Sequence, residues 1–527
     1  MRPLIHEIST AHTPESLVGQ LRIAGCGLRN VVLLRTSQFD SPSARYSFVA
    51  ANPFLTFRSF GSRCEITPHS AFRAPHFGNP WHLLGSLMSR YELLDEIDLP
   101  FPLGGCFGFW GYDLKNFTEP KLPRRAVNDL ELPDCHAGFY DSLVVFDHQL
   151  GKVFIVSTGL NADGSRSEKR ANEQMEFWNL LISGKLPPRH RVAKKHSPLP
   201  RLCGSVAQII SNLSRDEFIS KVQRAQRYIR AGDIYQVNLS QRLTVDFCGR
   251  AGSPLPAAGR TQAHERRARS DAPYLLANSD GWELFQKLTA VSPAPFSAFL
   301  DCGDFQIASS SPEQFLRMSG SQIVTRPIKG TRPRDPDPTR DAQLAYELQT
   351  STKELAELVM ITDLLRNDLG KVCEFGSVQT PEIAKLEKFA QVQHLVSTVE
   401  GRLRNDVTHF TSFAAAFPGG SITGAPKFRA MKIIDELEPV SRGPYCGAIG
   451  FLGFNRESQL SIAIRTAICQ DGLAHFNVGA GIVADSDPGA EYEETLAKAA
   501  GFLAALKLEL PKAFPPHAAS HAIGNPA

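Results

Sequence analysis

The chain has 527 residues and a formal net charge of +3, and 42% of its residues are hydrophobic while 21% are charged. This composition excludes a fibrous or largely disordered protein, and the small net charge gives no reason to expect nucleic-acid binding. The length predicts about two to four domains.

The 10 cysteines are scattered, and none of them belongs to a Cys-x-x-Cys pair. We therefore expect buried, reduced thiols rather than a zinc site or a disulfide framework. The N-terminal residues lack the apolar stretch of a signal peptide, and no run of about 18 apolar residues indicates a membrane span. These features predict a cytoplasmic protein that binds neither membranes nor nucleic acid.

Residues 1–184 are predicted to form a β-rich N-terminal region. The apolar run Val31–Leu34 has the length of a strand, and Leu143–Phe146 and Val153–Val156 flank a turn with Gly151, as in a hairpin. Residues 185–212 are rich in basic residues and proline, which predicts a solvated linker.

Residues 213–510 are predicted to form a second domain that begins with a helix. Ser214 and Glu217 have the spacing of a capping box, and Gly232 ends the apolar pattern of this helix. A flexible insertion interrupts the domain and a disordered tail follows it. These two segments are residues 248–281 and 511–527.

Strand pairs and helices occur in blocks in the rest of this domain, which predicts an α+β fold. Asp471-Gly472 is a strong hairpin signal between two of the strands. The predicted strands are residues 296–300, 305–309, 461–469 and 473–478, and the predicted helices are residues 351–369, 425–437 and 488–508.

Two of the predicted helices each carry two carboxylates one turn apart. Glu354 and Glu357 are at positions i and i+3 of one helix, and Glu491 and Glu494 repeat this spacing in another. Each pair is consistent with an ordinary solvated helix face. Two such pairs facing each other across a cleft would instead offer the oxygen ligands that Mg²⁺ prefers. Both interpretations stay open from this pattern alone.

Glycine-rich turns are predicted before two helices, at residues 418–424 and 479–485. Backbone N–H groups in such turns hold anions, so we interpret them as carboxylate-binding loops, with tight structural turns as the alternative. The second turn formally matches a dinucleotide-binding pattern, but no acid lies about 20 residues further on, which argues against that function. The glycine run at 104–111 lacks the ending of a phosphate-binding loop, so we expect close backbone packing there.

The segments from about Ser214 to Leu508 resemble the chorismate-utilising enzymes, a family of large α+β proteins. Many long motifs occur in the family's order, and residues 1–184 resemble the N-terminal part of its aminating members more weakly. The resemblance implies an anthranilate synthase component I-like fold, with β-sheets packed in a sandwich and flanking helices. The motifs are Gly232–Ser240, Ser310–Glu313, Arg326–Arg334, Asp363–Gly370, His394–Ser397, Ile464–Thr466 and the two glycine-rich segments.

One position distinguishes branches of the family. Residues 327–331 read Pro-Ile-Lys-Gly-Thr, where anthranilate synthase component I typically has alanine instead of lysine. Lys329 resembles the signature of the aminodeoxychorismate synthase component I branch. This implies a transferase that aminates chorismate at C4 to 4-amino-4-deoxychorismate, in para-aminobenzoate and folate biosynthesis. Anthranilate synthase component I and a catalytically silent regulatory subunit are the alternatives.

The resemblance also implies roles for individual residues. Lys329 is the expected nucleophile and must be unprotonated to attack, Glu313 is the expected general acid, and His394 is an active-site residue or a hydrogen-bonded core histidine. The implied Mg²⁺ ligands are Glu357 and Glu494 with Glu354 and Glu491 close by, and the implied chorismate-binding residues are Gly330, Thr331, Tyr445, Arg465, Gly479, Ala480, Gly481 and Lys498.

No segment reads as a glutamine amidotransferase, so the resemblance implies that a separate subunit, component II, delivers ammonia. One departure from the family pattern is Leu355, which replaces a cation beside the implied metal ligands. Some members of the family bind tryptophan between the two halves of the chain; tryptophan binding and ordinary packing both stay open here. The matching positions are Thr36, Ser43, Ala44, Arg45, Tyr46, Pro295, Phe296 and Ser297.

Overall fold

The computed structural model describes residues 2–23, 30–36, 44–68, 75–94, 99–185, 209–246, 281–389 and 392–510. The predicted linker and insertion fall almost entirely outside these ranges, and the predicted tail falls wholly outside them. These three assignments stay predictions.

Two β-sheets, each of 12 strands, form the centre of the described chain. Many of the strands are rich in β-branched and aromatic residues, which fit a pleated surface that is packed on both sides. In chain order the strands are β1 (Leu4–Ile8), β2 (Val32–Arg35), β3 (Tyr46–Ala50), β4 (Leu55–Phe60), β5 (Arg63–Pro68), β6 (His76–Phe77), β7 (Gly105–Trp110), β8 (Cys135–Tyr140), β9 (Ser142–Asp147), β10 (Lys152–Ser157), β11 (Ile209–Ser211), β12 (Gln236–Asp246), β13 (Phe296–Asp301), β14 (Gln306–Ser311), β15 (Gln314–Ser319), β16 (Gln322–Arg326), β17 (Ile328–Pro333), β18 (Gln379–Lys388), β19 (Val392–Arg402), β20 (Gly424–Ala425), β21 (Ala448–Gly453), β22 (Glu457–Ile462), β23 (Thr466–Gln470) and β24 (Leu473–Ile482).

Helices pack against the sheets, and side chains cap several of their starts. The hydroxyl of Ser214 accepts from the N–H of Glu217 while the Glu217 carboxylate accepts from the N–H of Ser214, so the predicted capping box is confirmed. The helices are α1 (Pro14–Ile23), α2 (Pro80–Tyr91), α3 (Lys115–Thr118), α4 (Glu168–Ile182), α5 (Arg215–Arg230), α6 (Gly281–Val291), α7 (Pro338–Thr350), α8 (Thr352–Gly370), α9 (His409–Ala416), α10 (Lys427–Leu437), α11 (Pro488–Lys498) and α12 (Ala500–Leu506), with short 3₁₀ helices at Tyr112–Leu114 and Gly420–Ile422.

The first sheet has the order β1-β10-β9-β3-β2-β13-β14-β23-β24-β12-β11, with β20 also paired to β12. The second has the order β17-β19-β16-β15-β22-β21-β7-β8-β4-β5-β6, with β18 also paired to β19. The hairpin predicted around Gly151 is confirmed as the antiparallel pair β9–β10, and the one predicted at Asp471-Gly472 is confirmed as β23–β24.

Strands from the two predicted regions share both sheets. β2 pairs with β13 in the first sheet, and β7 pairs with β21 in the second. The backbones approach closely at the second junction, where Gly108 is opposite Gly450. A Cβ atom at Gly108 would lie only 2.1 Å from the carbonyl oxygen of His136 on the other neighbouring strand. Close packing therefore explains this glycine, while the boundaries 1–184 and 213–510 stay predictions.

The two sheets face each other over a shared aromatic core. The rings of Phe48 on β3 and Phe451 on β21 meet edge to face with centroids 5.0 Å apart, and Phe107 on β7 stacks on Phe451 at 5.3 Å. Helices contribute to the other cores, with Trp178 of α4 packed against the first sheet and Phe413 of α9 against the second. The predicted α+β sandwich with flanking helices is confirmed.

The strand predicted at residues 461–469 is wrong as a single element. β22 ends at Ile462 in the second sheet and β23 begins at Thr466 in the first sheet, so the chain changes sheets between them. The backbone at Arg465 is left-handed, with φ of +50°, which a regular strand does not accommodate. The apolar pattern continues across this point and does not reveal the crossing.

Two further predicted boundaries are wrong. Residues 488–508 form two helices, α11 and α12, because the Ala499 N–H bonds to the carbonyl of Leu496 in a 3₁₀-type step. Gly479 and Gly481 lie inside β24 rather than in a turn, because pairing with β12 continues to Ile482. Because these two glycines have no Cβ atom, neighbouring side chains approach the strand closely there. They do not form a chain reversal.

The cysteines in the described ranges are buried free thiols, as predicted. Among the helices of those same ranges, none has the length and apolar character needed to cross a bilayer.

We expect Gly108→Ala to lower the free energy of unfolding by about 1–3 kcal/mol or more, because the added methyl group would overlap the His136 carbonyl. Urea unfolding followed by circular dichroism measures this change. Gly19→Ala is the matched control, since Gly19 lies inside α1 with no atom within 4 Å of an added Cβ. That variant should be unchanged or gain about 0.5–1 kcal/mol. Equal stabilities of wild type and Gly108→Ala would contradict the close approach.

Candidate active site

Lys329 projects from β17 at an irregular point of the sheet. The register between β17 and β19 shifts between Lys329 and Thr331, and the intervening Gly330 has φ of +69°. Such a bulge re-aims the neighbouring side chain. The Lys329 side chain is 17% exposed, and its Nζ lies 3.9 Å from Oε2 of Glu357 on α8. A Cβ atom at Gly481 would lie 3.8 Å from the same Nζ, so β17, α8 and β24 meet at this amine.

The carboxylates of Glu357 and Glu494 face the same cations. Burial raises the pKa of Glu357, although Lys329 and Lys353 act in the opposite direction. The pKa of Glu494 is lowered overall. Burial acts to raise it, but the nearby lysines together have the larger, opposite effect. These lysines are Lys498, Lys353 and Lys329. Because both carboxylates interact with Lys329 and Lys353, they border one cleft between α8 and α11.

Glu354 and Glu491 flank this cleft and are each engaged by a neighbour. Oε1 of Glu354 lies 3.5 Å from Nη1 of Arg332. Oε1 of Glu491 accepts a hydrogen bond of 2.6 Å from the Ser486 hydroxyl, and burial raises the pKa of the Glu491 carboxyl. Leu355 packs with Leu358 in a small apolar cluster beneath α8, so the residue that departs from the family pattern has a packing role.

The four carboxylates do not form a complete metal cage. Within the described ranges there is no group of three or more His, Cys, Asp or Glu side chains arranged to hold a metal ion. Glu357 and Glu494 instead fit the mode in which Mg²⁺ takes one or two carboxylates and completes its shell with water and substrate oxygens. Magnesium binding stays a prediction.

Gln236 is a site residue that was not predicted from the sequence, although it lies within the motif Gly232–Ser240. Its Nε2 donates to Oε2 of Glu357 at 3.2 Å, and the residue is only 2% exposed. Its Oε1 is buried with no hydrogen-bond partner among the described residues. The available signal was a long polar side chain at a buried strand position, which usually has a specific partner.

Glu313 is a buried carboxyl beside the glycine-rich segment. It is 6% exposed, and burial raises its pKa to about 6, although hydrogen bonding to Ser421 and the charge of Lys329 lower it. The N–H of Ile462 donates to the Glu313 carbonyl at 3.0 Å and fixes the backbone at this point. A carboxyl with this pKa is partly protonated near neutral pH, which is what a general acid requires. Ser421 was not among the site residues predicted from the sequence.

Arg465 is a half-buried cation that has no counterion among the described residues. Its guanidinium has no hydrogen bond or ion pair within the part of the chain that the structure describes, and burial lowers its pKa. The left-handed backbone at Arg465 is an energetically costly conformation of the kind that clusters at functional sites. A half-buried guanidinium without such a partner is suited to bind a carboxylate in bidentate fashion.

Tyr445 and Lys498 approach β24 at Gly479. The Nζ of Lys498 donates to the Gly479 carbonyl at 2.8 Å and lies 2.8 Å from Oε1 of Glu494. Tyr445 is 5% exposed, and its hydroxyl would be 2.8 Å from a Cβ atom at Gly479. Ala480 is fully buried between these positions. The structure thus brings the predicted binding residues of β24 next to the predicted metal ligand Glu494.

His394 on β19 faces β17. Its Nδ1 lies 2.9 Å from Oγ1 of Thr331 and 3.3 Å from the carbonyl of Gly330. The ring is 2% exposed, and burial together with the charge of Arg465 lowers its pKa to about 4. His394 is therefore neutral near pH 7 and hydrogen-bonded to both predicted chorismate-binding residues of β17.

A cavity lies between the two sheets at the predicted tryptophan pocket. Thr36, Tyr46, Phe296 and Ser297 line it together with mainly apolar neighbours from both sheets. Tryptophan binding stays a prediction. Of the other matching positions, Ala44 and Pro295 are buried, Arg45 pairs with Asp147 at 2.6 Å, and Ser43 lies outside the described residues.

Residues 37–270 and 266–504 match the family model described as chorismate binding enzyme. The chain is 37% identical over 470 residues to aminodeoxychorismate synthase component 1 of Escherichia coli K12, covering 89% of this chain and 91% of that protein. It is 35% identical over 496 residues to anthranilate synthase component 1 of Acetivibrio thermocellus, covering 94% and 93%. The crystal structure of anthranilate synthase component I from Streptococcus pneumoniae matches with a TM-score of 0.68 and 29% identity, covering 88% of this chain and 94% of that one. Overall similarity does not choose between the two named reactions.

We expect the stability of the protein to depend on pH through His394. An unfolded histidine gains its proton near pH 6.5, but the folded His394 gains it only near pH 4. Between these values the unfolded state binds one more proton, so this residue should lower the free energy of unfolding by about 1.4 kcal/mol per unit of falling pH.

His394→Gln keeps a hydrogen-bonding side chain and removes this titration. Urea unfolding at pH 4.5, 5.5, 6.5 and 7.5 should therefore give a flatter pH dependence for the variant than for wild type, with the two curves converging as pH falls. Parallel curves would contradict a neutral, buried His394. The other buried histidines are present in both proteins and cancel in the comparison.

Proposed function

We propose a reaction for this chain on the premise that it belongs to the chorismate binding enzyme family: amination of chorismate at C4 to 4-amino-4-deoxychorismate. The observation that carries this choice is the position of Lys329. Its amine lies at the meeting point of β17, α8 and β24, 3.9 Å from Glu357, where a lysine is available to react with a bound ring. This lysine occupies the position where the anthranilate-forming branch is expected to have alanine.

In the proposed reaction Lys329 acts as a covalent nucleophile. Its neutral amine attacks C2 of the ring, the double bonds shift, and the C4–O bond breaks. Glu313 supplies a proton to the departing hydroxyl, which leaves as water. Ammonia then attacks C4 while the C2–Nζ bond breaks, which regenerates Lys329. The burial that raises the pKa of Glu313 to about 6 supports its role as the acid.

The other site residues fit the charges of chorismate. Arg465, which has no ion pair among the described residues, offers its guanidinium to one carboxylate of the substrate, and Tyr445 lies beside Gly479. Glu357 and Glu494 are the residues that would hold Mg²⁺. The ion would neutralise the ring carboxylate when bound.

We propose that the nitrogen is supplied by a separate subunit. The similar enzymes are named component 1, which is consistent with a second component that releases ammonia from glutamine. We place the protein in the cytoplasm as part of the same proposal. Free ammonium salt should replace the second component in an assay.

Anthranilate synthesis is the second candidate, because enzymes with that name are as similar in sequence as the 4-aminating ones. The two reactions differ in the ring position that ammonia attacks and in whether pyruvate is lost. Incubation of the full chain with chorismate, Mg²⁺ and ammonium salt, followed by mass identification of the product, separates them. Fluorescent anthranilate as the main product would refute the proposal.

We expect Lys329→Ala to lose most 4-amination, on the order of 10²-fold or more in rate, because the covalent route needs this amine. Residual turnover should shift toward attack of ammonia at C2. Wild type incubated with chorismate without ammonia should also yield a mass adduct on the peptide that contains Lys329.

Lys152→Ala is the matched control, since Lys152 is also a strand lysine paired with a glutamate, Glu7, at 2.8 Å, but on β10. It should retain the wild-type rate and product. If Lys329→Ala forms 4-amino-4-deoxychorismate at the wild-type rate, covalent catalysis by Lys329 is wrong.

We expect Glu357→Gln to raise the Mg²⁺ concentration needed for half-maximal turnover at least about 10-fold, because the isosteric amide removes a ligand charge while keeping the packing. Titration calorimetry with Mg²⁺ gives a second readout that does not depend on turnover. Glu493→Gln, on the exposed side of α11, is the control and should bind Mg²⁺ as wild type does. An unchanged Mg²⁺ requirement in Glu357→Gln would remove this residue from the metal site.

A further inference from the structure

A buried amide oxygen without a partner lies in the candidate active site. Gln236, the first residue of β12, is 2% exposed, and its Oε1 has no hydrogen-bond partner among the described residues. Its Nε2 donates to Oε2 of Glu357 at 3.2 Å. Because an ionised carboxylate only accepts hydrogen bonds, the amide nitrogen must face Glu357, and Oε1 is left as a free acceptor. Buried acceptors usually have a donor, so this oxygen points to a donor that reaches it during function.

The backbone of Gln236 is held between two strands. Gln236 is opposite Ala425 of β20, and the next residue, Val237, is opposite Ile482 of β24. A Cβ atom at Gly424 would lie only 2.1 Å from the Gln236 carbonyl oxygen, so the chains are in close contact there. Since both its backbone and its Nε2 are fixed, the amide has little freedom to turn toward another donor.

The amine of Lys329 is an unpaired donor in the same place. Its Nζ has no hydrogen bond among the described residues and lies 3.9 Å from Oε2 of Glu357, the oxygen that Nε2 of Gln236 also contacts. A Cβ atom at Gly481 would lie 2.6 Å from that Nε2 and 3.8 Å from Nζ, so the two side chains also meet over one glycine. The flexible lysine stem can turn its amine from Glu357 toward Oε1 while the amide stays in place.

The proposed reaction leaves this amine with hydrogens that need an acceptor. When the Nζ lone pair forms the bond to C2, the electron pair of the C4–O bond leaves with the hydroxyl, which takes the proton of Glu313 and departs as water. The nitrogen keeps both hydrogens and carries one positive charge until ammonia attacks C4 and the bonding electrons return to Nζ. A charged N–H forms a stronger hydrogen bond than a neutral one, and an amide oxygen accepts it without taking the proton.

We propose that Gln236 is a positioning residue for Lys329: its Oε1 accepts an N–H of the amine, which directs the lone pair toward the ring and holds the adduct. This inference rests on the covalent role that the proposed function gives to Lys329. Gly481 is part of the arrangement, because a side chain there would overlap Nε2 of Gln236. The role is separate from metal binding, which the proposed function assigns to Glu357.

The test measures how fast the mass adduct on the Lys329 peptide forms in full-length variants with chorismate and Mg²⁺ but without ammonia. Gln236→Met has a similar size and lacks the amide, and it should slow adduct formation by about 10- to 100-fold. The loss should persist when the Mg²⁺ concentration is raised, because the effect does not pass through the metal ligand.

Gln241→Met is the matched control. Gln241 lies on the opposite face of the same strand, where its amide is hydrogen-bonded to Ser211 and Thr495. This variant should form the adduct at the wild-type rate.

A folded Gln236→Met variant with the wild-type adduct rate overturns the proposal. Full recovery at high Mg²⁺ also overturns it, because Gln236 would then act only through Glu357. Gln236→Asn decides the question if Gln236→Met does not fold. It withdraws the amide by one methylene and should also slow the adduct, and an unchanged rate in this variant overturns the proposal.

A double variant tests whether the two residues act together. If Gln236 acts through Lys329, adding Gln236→Met to Lys329→Ala should not lower the residual turnover with ammonium salt any further. A further loss overturns the proposal, because Gln236 would then act on ammonia or on the ring directly. Absence of an adduct in wild type, together with a wild-type rate in Lys329→Ala, refutes the proposed covalent reaction itself. An adduct that forms equally fast in wild type and Gln236→Met refutes only the positioning role.

Discussion

The framework of the candidate site depends on a buried ion pair between Arg442 and Glu438, whose side chains are 1% and 5% exposed. The guanidinium donates to both Glu438 oxygens and to the carbonyls of Ile422 and Asn238, and Glu438 also accepts from the N–H and hydroxyl of Ser240. Each guanidinium nitrogen and both carboxylate oxygens are thus engaged, which is the condition under which a buried pair compensates its desolvation. The guanidinium also lies over the rings of Tyr112 and Tyr445, so one charge links the N-terminal part, β12 and the glycine-rich segment.

The charges around the cleft are unevenly distributed. Acidic groups border it on α8 and α11, where Glu357 and Glu494 interact with the lysines between them. Arg465 has no counterion among the described residues and lies near His394, which is neutral. A dianionic ring compound would have both charges neutralised if one carboxylate bound Arg465 and the other bound the Mg²⁺ that we propose for Glu357 and Glu494.

Local patterns predicted much of this architecture, and non-local packing determined what they missed. The capping box at Ser214 and the hairpin at Gly151 depend on neighbouring residues, so the sequence was sufficient for them. The sheet change at Arg465 depends on which distant strands pair, and the burial of Glu313 depends on a segment more than a hundred residues away, so neither leaves a local signal. The same holds for Gln236, whose role appears only once α8 lies next to β12. The assignment of site residues relied on family resemblance rather than on periodicity.

The sharing of both sheets between early and late strands has a consequence for biosynthesis. β2 and β7 leave the ribosome long before their partners β13 and β21 exist, so the nascent chain carries open sheet edges for most of its translation. Such edges are templates for pairing with other chains. We expect the nascent N-terminal part to need protection by chaperones, and native assembly to be completed only after β24 has emerged, since it joins β23 to β12. A prematurely terminated product would then expose unpaired strand edges and aggregate, instead of forming a smaller active enzyme. The solubility of the translation product therefore depends on synthesis of the strands that close both sheets.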